Sequence, residues 1–336
     1  MTIQSQGMQP PPSLMAALRG GFNAITNHIG LILFPAGLDL LLWMGPQVRL
    51  TQLIRSIIDQ MVEFYATAEM DTVELLTAGE EMWSILAESF NLAIALRTYP
   101  IGVFSLMSSR LPVETPLGEP LVWEIDGVGG VLLGWLVISA LGLAAAALYF
   151  KVVSQAAMQN QVNFAEALFQ WRWTFLQFLL LMVIWIAFIL LMGIPGSILL
   201  SLMVVTSSPV ILCVLVLFLA FLFSVFIPLL LTPHGIVASE KPVFEAAKSS
   251  IRTVRMTLPA TSLFFLVAVM LSEGLDILWR VPAENSWLTL VGIFGHAFIT
   301  TGLLAASFIF YRDANNWVAG AIEKISPDPI DVEIKT

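Results

Sequence analysis

Apolar positions fall in long unbroken blocks along this chain, with little of the strict alternation that marks half-buried strands. A helix that crosses a bilayer needs roughly 20 mostly apolar residues. Six blocks meet that length: Ala24–Met44, Gly127–Phe150, Trp173–Met192, Val210–Leu231, Leu258–Leu275 and Leu288–Tyr311. Gly193, Pro195 and Gly196 follow the third block and predict a break or kink there. Trp43, Trp123, Trp171, Trp173, Trp279, Trp287 and Trp317 stand at or near block ends, where an indole buries its ring and keeps its N–H wet. The pattern predicts an all-α fold, a polytopic transmembrane helical bundle of about six spans.

The polar segments complete the layout. Residues 1–12 are polar and Pro-rich and read as a disordered tail, and residues 13–336 read as a single transmembrane domain. The tail lacks the basic stretch that precedes the apolar core of a cleavable signal peptide, so the first block is expected to be retained. Residues 46–126 form an extramembrane insertion. Leu50, Leu53, Ile54, Ile57, Ile58, Met61, Val62 and Tyr65 repeat at helical spacing, and Trp83, Leu86, Ala87, Phe90 and Ile94 make a second, shorter stripe. Each stripe needs a surface to cover it. Two readings stay open: a helical cap packed on itself and on the membrane face, or a ligand lid or partner dock.

Three short amphipathic segments precede spans: Ser13–Ile25, Asn163–Phe175 and Val243–Arg255. Each sets a large apolar residue three positions before an alanine, at Leu14/Ala17, Phe164/Ala167 and Phe244/Ala247. The same register shift that carries Phe164 onto Phe244 carries Arg172 onto Arg252 and superimposes the following spans. The expectation is an internal repeat, an amphipathic elbow plus two spans, with copies related by an axis along the membrane normal.

The third elbow, Pro242-Val243-Phe244-Glu245-Ala246-Ala247-Lys248-Ser249-Ser250, carries a phenylalanine–x–alanine–x–x–serine pattern, and the last span ends in Phe310-Tyr311-Arg312-Asp313. In these motifs the chain resembles a loose group of bacterial polytopic membrane families, the YciC-like proteins and the membrane domain attached to some glycerophosphodiester phosphodiesterases. It departs from them after Asp313, where Ala314 and Asn315 stand in place of the usual arginine. The resemblance implies a multi-pass protein of a bacterial plasma (inner) membrane without an established reaction. The catalytic phosphodiesterase domain has no counterpart in this sequence, so that activity does not carry over.

Composition agrees with the apolar blocks. Of 336 residues, 58% are hydrophobic and 12% charged, against about 25% charged in soluble domains. The mean hydropathy is +0.87. A net charge of −9 excludes an ordinary nucleic-acid binder, which needs a basic face. The insertion holds Asp59, Glu63, Glu69, Asp71, Glu74, Glu80, Glu81, Glu88, Glu114, Glu119, Glu124 and Asp126, so it is acidic. With the N-terminus cytoplasmic, Arg49, Arg55, Arg97, Arg110 and Arg280 fall outside and the other Lys and Arg residues inside, which predicts both termini in the cytoplasm. The single cysteine, Cys213, forms no intrachain disulfide.

Candidate chemistry is sparse. Asp39 lies in the first span after Pro35, read as an ion or proton site or as a carboxylate near the outer headgroups. His296, among small residues in the sixth span, is either a functional ionisable group or one end of an interhelical hydrogen bond. His28 and His234 share no metal-ligand spacing with it, and no cofactor is implied. Gly130 and Gly134 form a GxxxG pair expected at a close helix contact. Lys248, Arg252 and Arg255 share one face of the third elbow, with Phe244, Ala247, Ile251 and Val254 opposite, and read as contacts to anionic lipid headgroups. Walker loops, GxSxG, HExxH and CxxC are missing. The expectation is a non-catalytic scaffold, assembly factor or accessory component, with a protein partner at the acidic loop. The alternative is a transporter or channel for a small solute.

The topology is testable. In a Cys213→Ser background, an impermeant thiol reagent added outside should label single cysteines placed in Thr72–Glu81 and spare the C-terminal tail. The reverse pattern overturns this orientation.

Overall fold

In a computed structural model, residues 11–67, 90–110 and 112–325 are described. The tail at 1–10, most of the second insertion stripe and the last residues lie outside them. The described chain is helical apart from two short strands. Helix α1 covers Leu14–Asn27 and α2 Leu33–Met44, with a short 3-10 turn at Ile29–Ile32 between them. Strand β1 is Gln47–Arg49 and α3 is Thr51–Thr67. A 3-10 segment at Leu92–Leu96, α4 (Met107–Arg110) and β2 (Val122–Glu124) follow. The long helices are α5 (Gly127–Gln159), α6 (Phe164–Thr206) and α7 (Pro209–Leu229). Helices α8 (Thr232–Ser239), α9 (Val243–Met256), α10 (Leu258–Trp279) and α11 (Thr289–Ile325) complete the order.

Among the described residues, five stretches are long and apolar enough to cross a membrane: Gly127–Gln159, Phe164–Thr206, Pro209–Ser239, Leu258–Trp279 and Thr289–Lys324. The broken pair Leu14–Asn27 plus Ile29–Met44 makes up to 6. Every block read from sequence therefore falls in a candidate span. The 43 residues of α6 rise about 64 Å, twice a hydrocarbon core of about 30 Å, so part of this helix extends beyond the hydrocarbon.

The elbows behave unequally. The first and third are separate helices. Gly30 follows the first, and Pro259 stands at the second position of α10, where it disfavours helical geometry in the residue before it. The second elbow is continuous with its span, because α6 begins at Phe164, capped by Asn163 accepting from the Glu166 N–H, and nothing breaks it before Met192. This departs from the expected repeat of elbow plus two spans. Gly193, Pro195 and Gly196, where a break or kink was expected, stay within this one helix. Proline there costs one ladder bond, and the helix ends only where Ser207 adopts a left-handed φ of 47°.

The chain divides into two compact units. Unit 1 is Met1–His28, Phe150–Met270 and Gly302–Thr336. Its core holds Ala17, Phe264, Ala306, Ile309, Phe310 and Ala314, with Leu231, Val254 and Tyr311 in a second cluster. The rings of Phe264 and Phe310 stack at 4.6 Å. Unit 2 is Ile29–Tyr149 and Leu271–Thr301, with Ala36, Leu42, Trp43, Leu106, Ile293 and Ala297 at its centre. In unit 2 the insertion closes at its base, where β1 and β2 pair in parallel with Val48 opposite Trp123. The described insertion therefore contains strands and 3-10 turns besides the expected helix α3.

Burial separates the spans. In the most apolar window of α11, 78% of residues are buried, while in α7 none are. Helices α6 and α7 present Leu, Ile, Val and Phe outward, as lipid-facing helices do. The close approaches are glycine-based, but not at Gly130 and Gly134. A Cβ on Gly130 would meet only the side chain of Ile125, and one on Gly134 only side-chain tips of Ile125 and Leu92. The GxxxG pair thus faces loop residues, because the insertion folds back along that helix face. Backbone faces glycine elsewhere: a Cβ on Gly21 would lie 2.3 Å from the Ala306 nitrogen, one on Gly142 2.2 Å from the Leu96 carbonyl oxygen, and one on Gly292 2.4 Å from the Trp279 carbonyl oxygen.

Those distances make a prediction. Gly21→Ala and Gly142→Ala should each lower the melting temperature in mild detergent, since a Cβ cannot coexist with the facing backbone. Gly134→Ala should melt close to the parent, because the atoms it would meet, Ile125 Cδ1 and Leu92 Cδ2 at 3.2 Å, are side-chain tips that can move aside. Equal melting of all three proteins would overturn this account of the packing.

Candidate functional site

Unit 2 gathers buried ionisable groups from α2, α10, α11 and the insertion. Asp39 is fully buried. Its Oδ1 accepts from Ser105 Oγ at 2.5 Å and from the Met107 N–H at 3.0 Å, and its Oδ2 accepts from the Leu106 N–H at 3.1 Å. The carboxylate therefore caps the first turn of α4 from another helix and supplies an acceptor to amides that have none in their own helix. It sits in the packed interior of the unit.

His296 lies in electrostatic reach of Asp39. Its Nδ1 pairs with Asp276 Oδ1 at 2.7 Å, and Arg280 stands 3.7 Å from the other oxygen of Asp276. The interhelical hydrogen bond expected of His296 is thus present, from α11 to α10. Bonds of this kind within a bilayer contribute about 0.6–1.7 kcal/mol. The opposite nitrogen, Nε2, is buried and has no hydrogen-bond partner among the described residues. Thr300 donates its hydroxyl to the His296 carbonyl at 2.8 Å.

Arg97, on the insertion, completes the group. It is 8% exposed, and its guanidinium lies 4.5 Å from the Tyr99 ring centroid and 5.0 Å from that of Phe104. Its Nη1 donates to the Thr98 carbonyl at 3.1 Å. Burial pulls its pKa below the usual arginine value, while Tyr99, Tyr149 and Asp39 oppose that shift. An arginine keeps its charge under such a pull.

A second polar seam staples the α10–α11 connection to the insertion. Arg110 pairs with Glu284 at 3.4 Å and donates to the Pro282 carbonyl. Glu284 also accepts from the Val113 N–H at 3.1 Å, and Asn285 reaches Glu114 at 3.2 Å. Trp43, near the end of α2 as expected, is fully buried against protein and donates its indole N–H to the Glu284 carbonyl at 2.9 Å. A cavity of about 440 Å³ lies beside this seam, lined by Arg49, Glu114, Glu119 and Asn285 among others.

In unit 1 the polar groups serve packing. His234 Nε2 meets Ser307 Oγ at 2.7 Å, and the buried Lys151 amine reaches Glu240 at 3.1 Å and the Val237 carbonyl at 3.3 Å. Ser250 donates to the Pro228 carbonyl at 2.7 Å and accepts from the Leu231 N–H at 3.2 Å, which satisfies the backbone at the α7–α8 junction. Lys248, Arg252 and Arg255 all point outward from α9. The protein-facing side of α9 is Val243, Ala246, Ser250, Thr253 and Val254, so Phe244 is outward too, at 64% exposure, beside the basic residues rather than opposite them.

The two residues singled out in the membrane, Asp39 and His296, therefore share one unit and one electrostatic neighbourhood. Arg97, Ser105, Asp276 and Glu284 were not singled out. Asp276 at a span end was the one legible signal, an acid otherwise hard to accommodate in lipid. Among the described residues no group of three or more His, Cys, Asp or Glu side chains could hold a metal ion.

This is a polytopic helical membrane protein, with spans that pack through glycine and with buried charges satisfied from within. No protein-family model matches the chain, and no curated protein or solved structure is significantly similar to it.

Asp39→Ala would strand two amides and a hydroxyl in the interior. At about 1–3 kcal/mol for each unsatisfied group, it should lower stability by on the order of 3 kcal/mol and expose the Ser105–Thr115 segment to protease. Asp39→Asn keeps one acceptor oxygen and should fall between. Parent-like melting and protease resistance in Asp39→Ala would remove Asp39 from this role.

Proposed function

We propose that this protein is a non-catalytic component of a bacterial plasma membrane, a scaffold, assembly factor or accessory subunit, with both termini in the cytoplasm and an acidic outer insertion that docks a protein partner. The observation that carries this reading is the use made of the buried charges. Asp39, Arg110 and Glu284 direct their bonds into the insertion and its staple to the α10–α11 connection. A protein that invests its intramembrane acid in holding an extramembrane segment rigid has a use for that segment outside the bilayer. Asp59 and Glu63 leave acidic side chains exposed on α3 for a basic partner. On the inner side, Lys248, Arg252 and Arg255 contact anionic headgroups. The resemblance to YciC-like proteins supports the same class.

One observation favours a second reading, a transporter or channel for a small solute. The unpartnered Nε2 of His296, beside Asp276 and near Asp39, is a place where a proton or a water could bind during transport.

Purification of a tagged chain from native membranes in mild detergent separates the two. A defined partner should co-purify in fixed proportion, and Asp59→Lys/Glu63→Lys should lose it while keeping parent melting. Recovery of the chain alone overturns the scaffold reading. Under the transport reading, His296→Ala would abolish a solute or proton flux in proteoliposomes and leave co-purification unchanged.

A further inference from the structure

An apolar groove in unit 1 has a basic flank. It lies where α9 begins, fixed on α6 by the Val243 N–H donating to Gln177 Oε1 at 3.0 Å. Trp185 and Phe188 of α6, Val225 and Leu229 of α7, and Phe244 and Ala247 of α9 form its walls around a cavity of about 130 Å³. The walls are stiffened by stacking, with the Trp185 and Phe226 rings 4.5 Å apart. Thr232 also lines the groove, and its hydroxyl is buried without a hydrogen-bond partner among the described residues.

The Thr232 hydroxyl is one polar group where an ordered water needs two to four, so an apolar guest suits this hollow better. An apolar cavity of about 150 Å³ takes a benzene-sized guest, so this one takes a stretch of roughly six carbons. Within a bilayer the available guest is an acyl chain. The charges beside the groove decide which lipid. Lys248 stands one helical turn beyond Phe244, with Arg255 two turns further along the same stripe and Arg252 next to it, all three exposed. Lys241 is tied to Ser249 at 3.0 Å, and Glu245 is the acidic group on the same helix. Three exposed cations against one carboxylate favour a negative headgroup.

We propose that this groove binds one anionic phospholipid, with an acyl chain against Trp185 and Phe188 and the phosphate on Lys248, Arg252 and Arg255. The proposal rests on the reading of those three residues as headgroup contacts and is independent of what the insertion docks. It differs from general lipid exposure in its walls. Phe244 and Ala247 belong to the same short helix as the cations, so chain and headgroup are recognised by one element.

The test uses the full-length protein in phosphatidylcholine nanodiscs carrying a trace of phosphatidylglycerol with a photoactivatable acyl chain. The same photoactivatable chain on phosphatidylcholine is the control, and cross-linked peptides are read by mass spectrometry. Cross-links should concentrate on 181–188 and 225–232 and favour phosphatidylglycerol. Lys248→Glu/Arg252→Glu/Arg255→Glu, all exposed and tolerable to the fold, should reduce that preference at least about five-fold, since each cation near an anionic surface is worth roughly that factor. Ala247→Trp should fill the groove and lower its cross-linking for both lipids. Equal labelling by both lipids that is indifferent to the charge changes overturns the proposal, leaving only annular lipid. A phosphatidylglycerol preference that the charge changes abolish, with labelling away from the groove, overturns the groove and retains the headgroup contacts. Partner co-purification should be unaffected by any of these variants, so its loss or retention reports on the insertion alone.

Discussion

Hydrocarbon offers no hydrogen bonds, so every polar group taken into the interior must find its partner within the protein. The architecture of each unit follows from that constraint. Asp39 meets it with three donors from one loop, and in doing so ties an extramembrane segment to the first, broken span. Asp276 meets it with His296 on the next span. Tyr149 meets it with Thr301 at 3.0 Å. None of these pairings is local in sequence. Each brings two spans, or a span and a loop, into one register.

The same logic governs unit 1 at the level of the backbone. Helix α7 ends beside Pro228, and α8 begins at Thr232 with Pro233 in its first turn, so the junction leaves a carbonyl and an amide outside any regular ladder. Ser250 satisfies both. That requirement sets which side of α9 faces the protein. A face of small and hydroxyl residues turns inward, and Phe244, with the cations, turns away from the core of the unit. Amphipathicity alone placed the aromatic on the side opposite the charges. The need of a neighbouring junction for a hydroxyl set the rotation.

Part of the candidate site was legible because ionisable residues inside apolar blocks are conspicuous. Asp39 and His296 stood out for that reason. Their partners did not. Ser105, Leu106 and Met107 carry no signal, since two of the three bonds use backbone amides that any sequence provides. Arg97 read as one more outer charge, and its burial against Tyr99 and Phe104 depends on how the insertion folds back. Spacing alone did not say what each glycine faces. Gly130 and Gly134 have the spacing of a helix contact and face side chains of Ile125 and Leu92, while a Cβ on Gly21 or Gly142 would run into backbone.

The span count, the helical class and the lipid-facing character of α6 and α7 were determined by the sequence alone, because each depends on a local sum of side-chain transfer energies over some 20 residues. That sum is insensitive to what the helix packs against. The unbroken course of α6 through Pro195, the break at His28, the rotation of α9 and the pairing of Asp39 with a loop 66 residues away were decided only by tertiary structure. Each turns on a single bond or a single steric contact between distant segments, and in a low-dielectric interior one such bond outweighs the small local preference that a sequence window records.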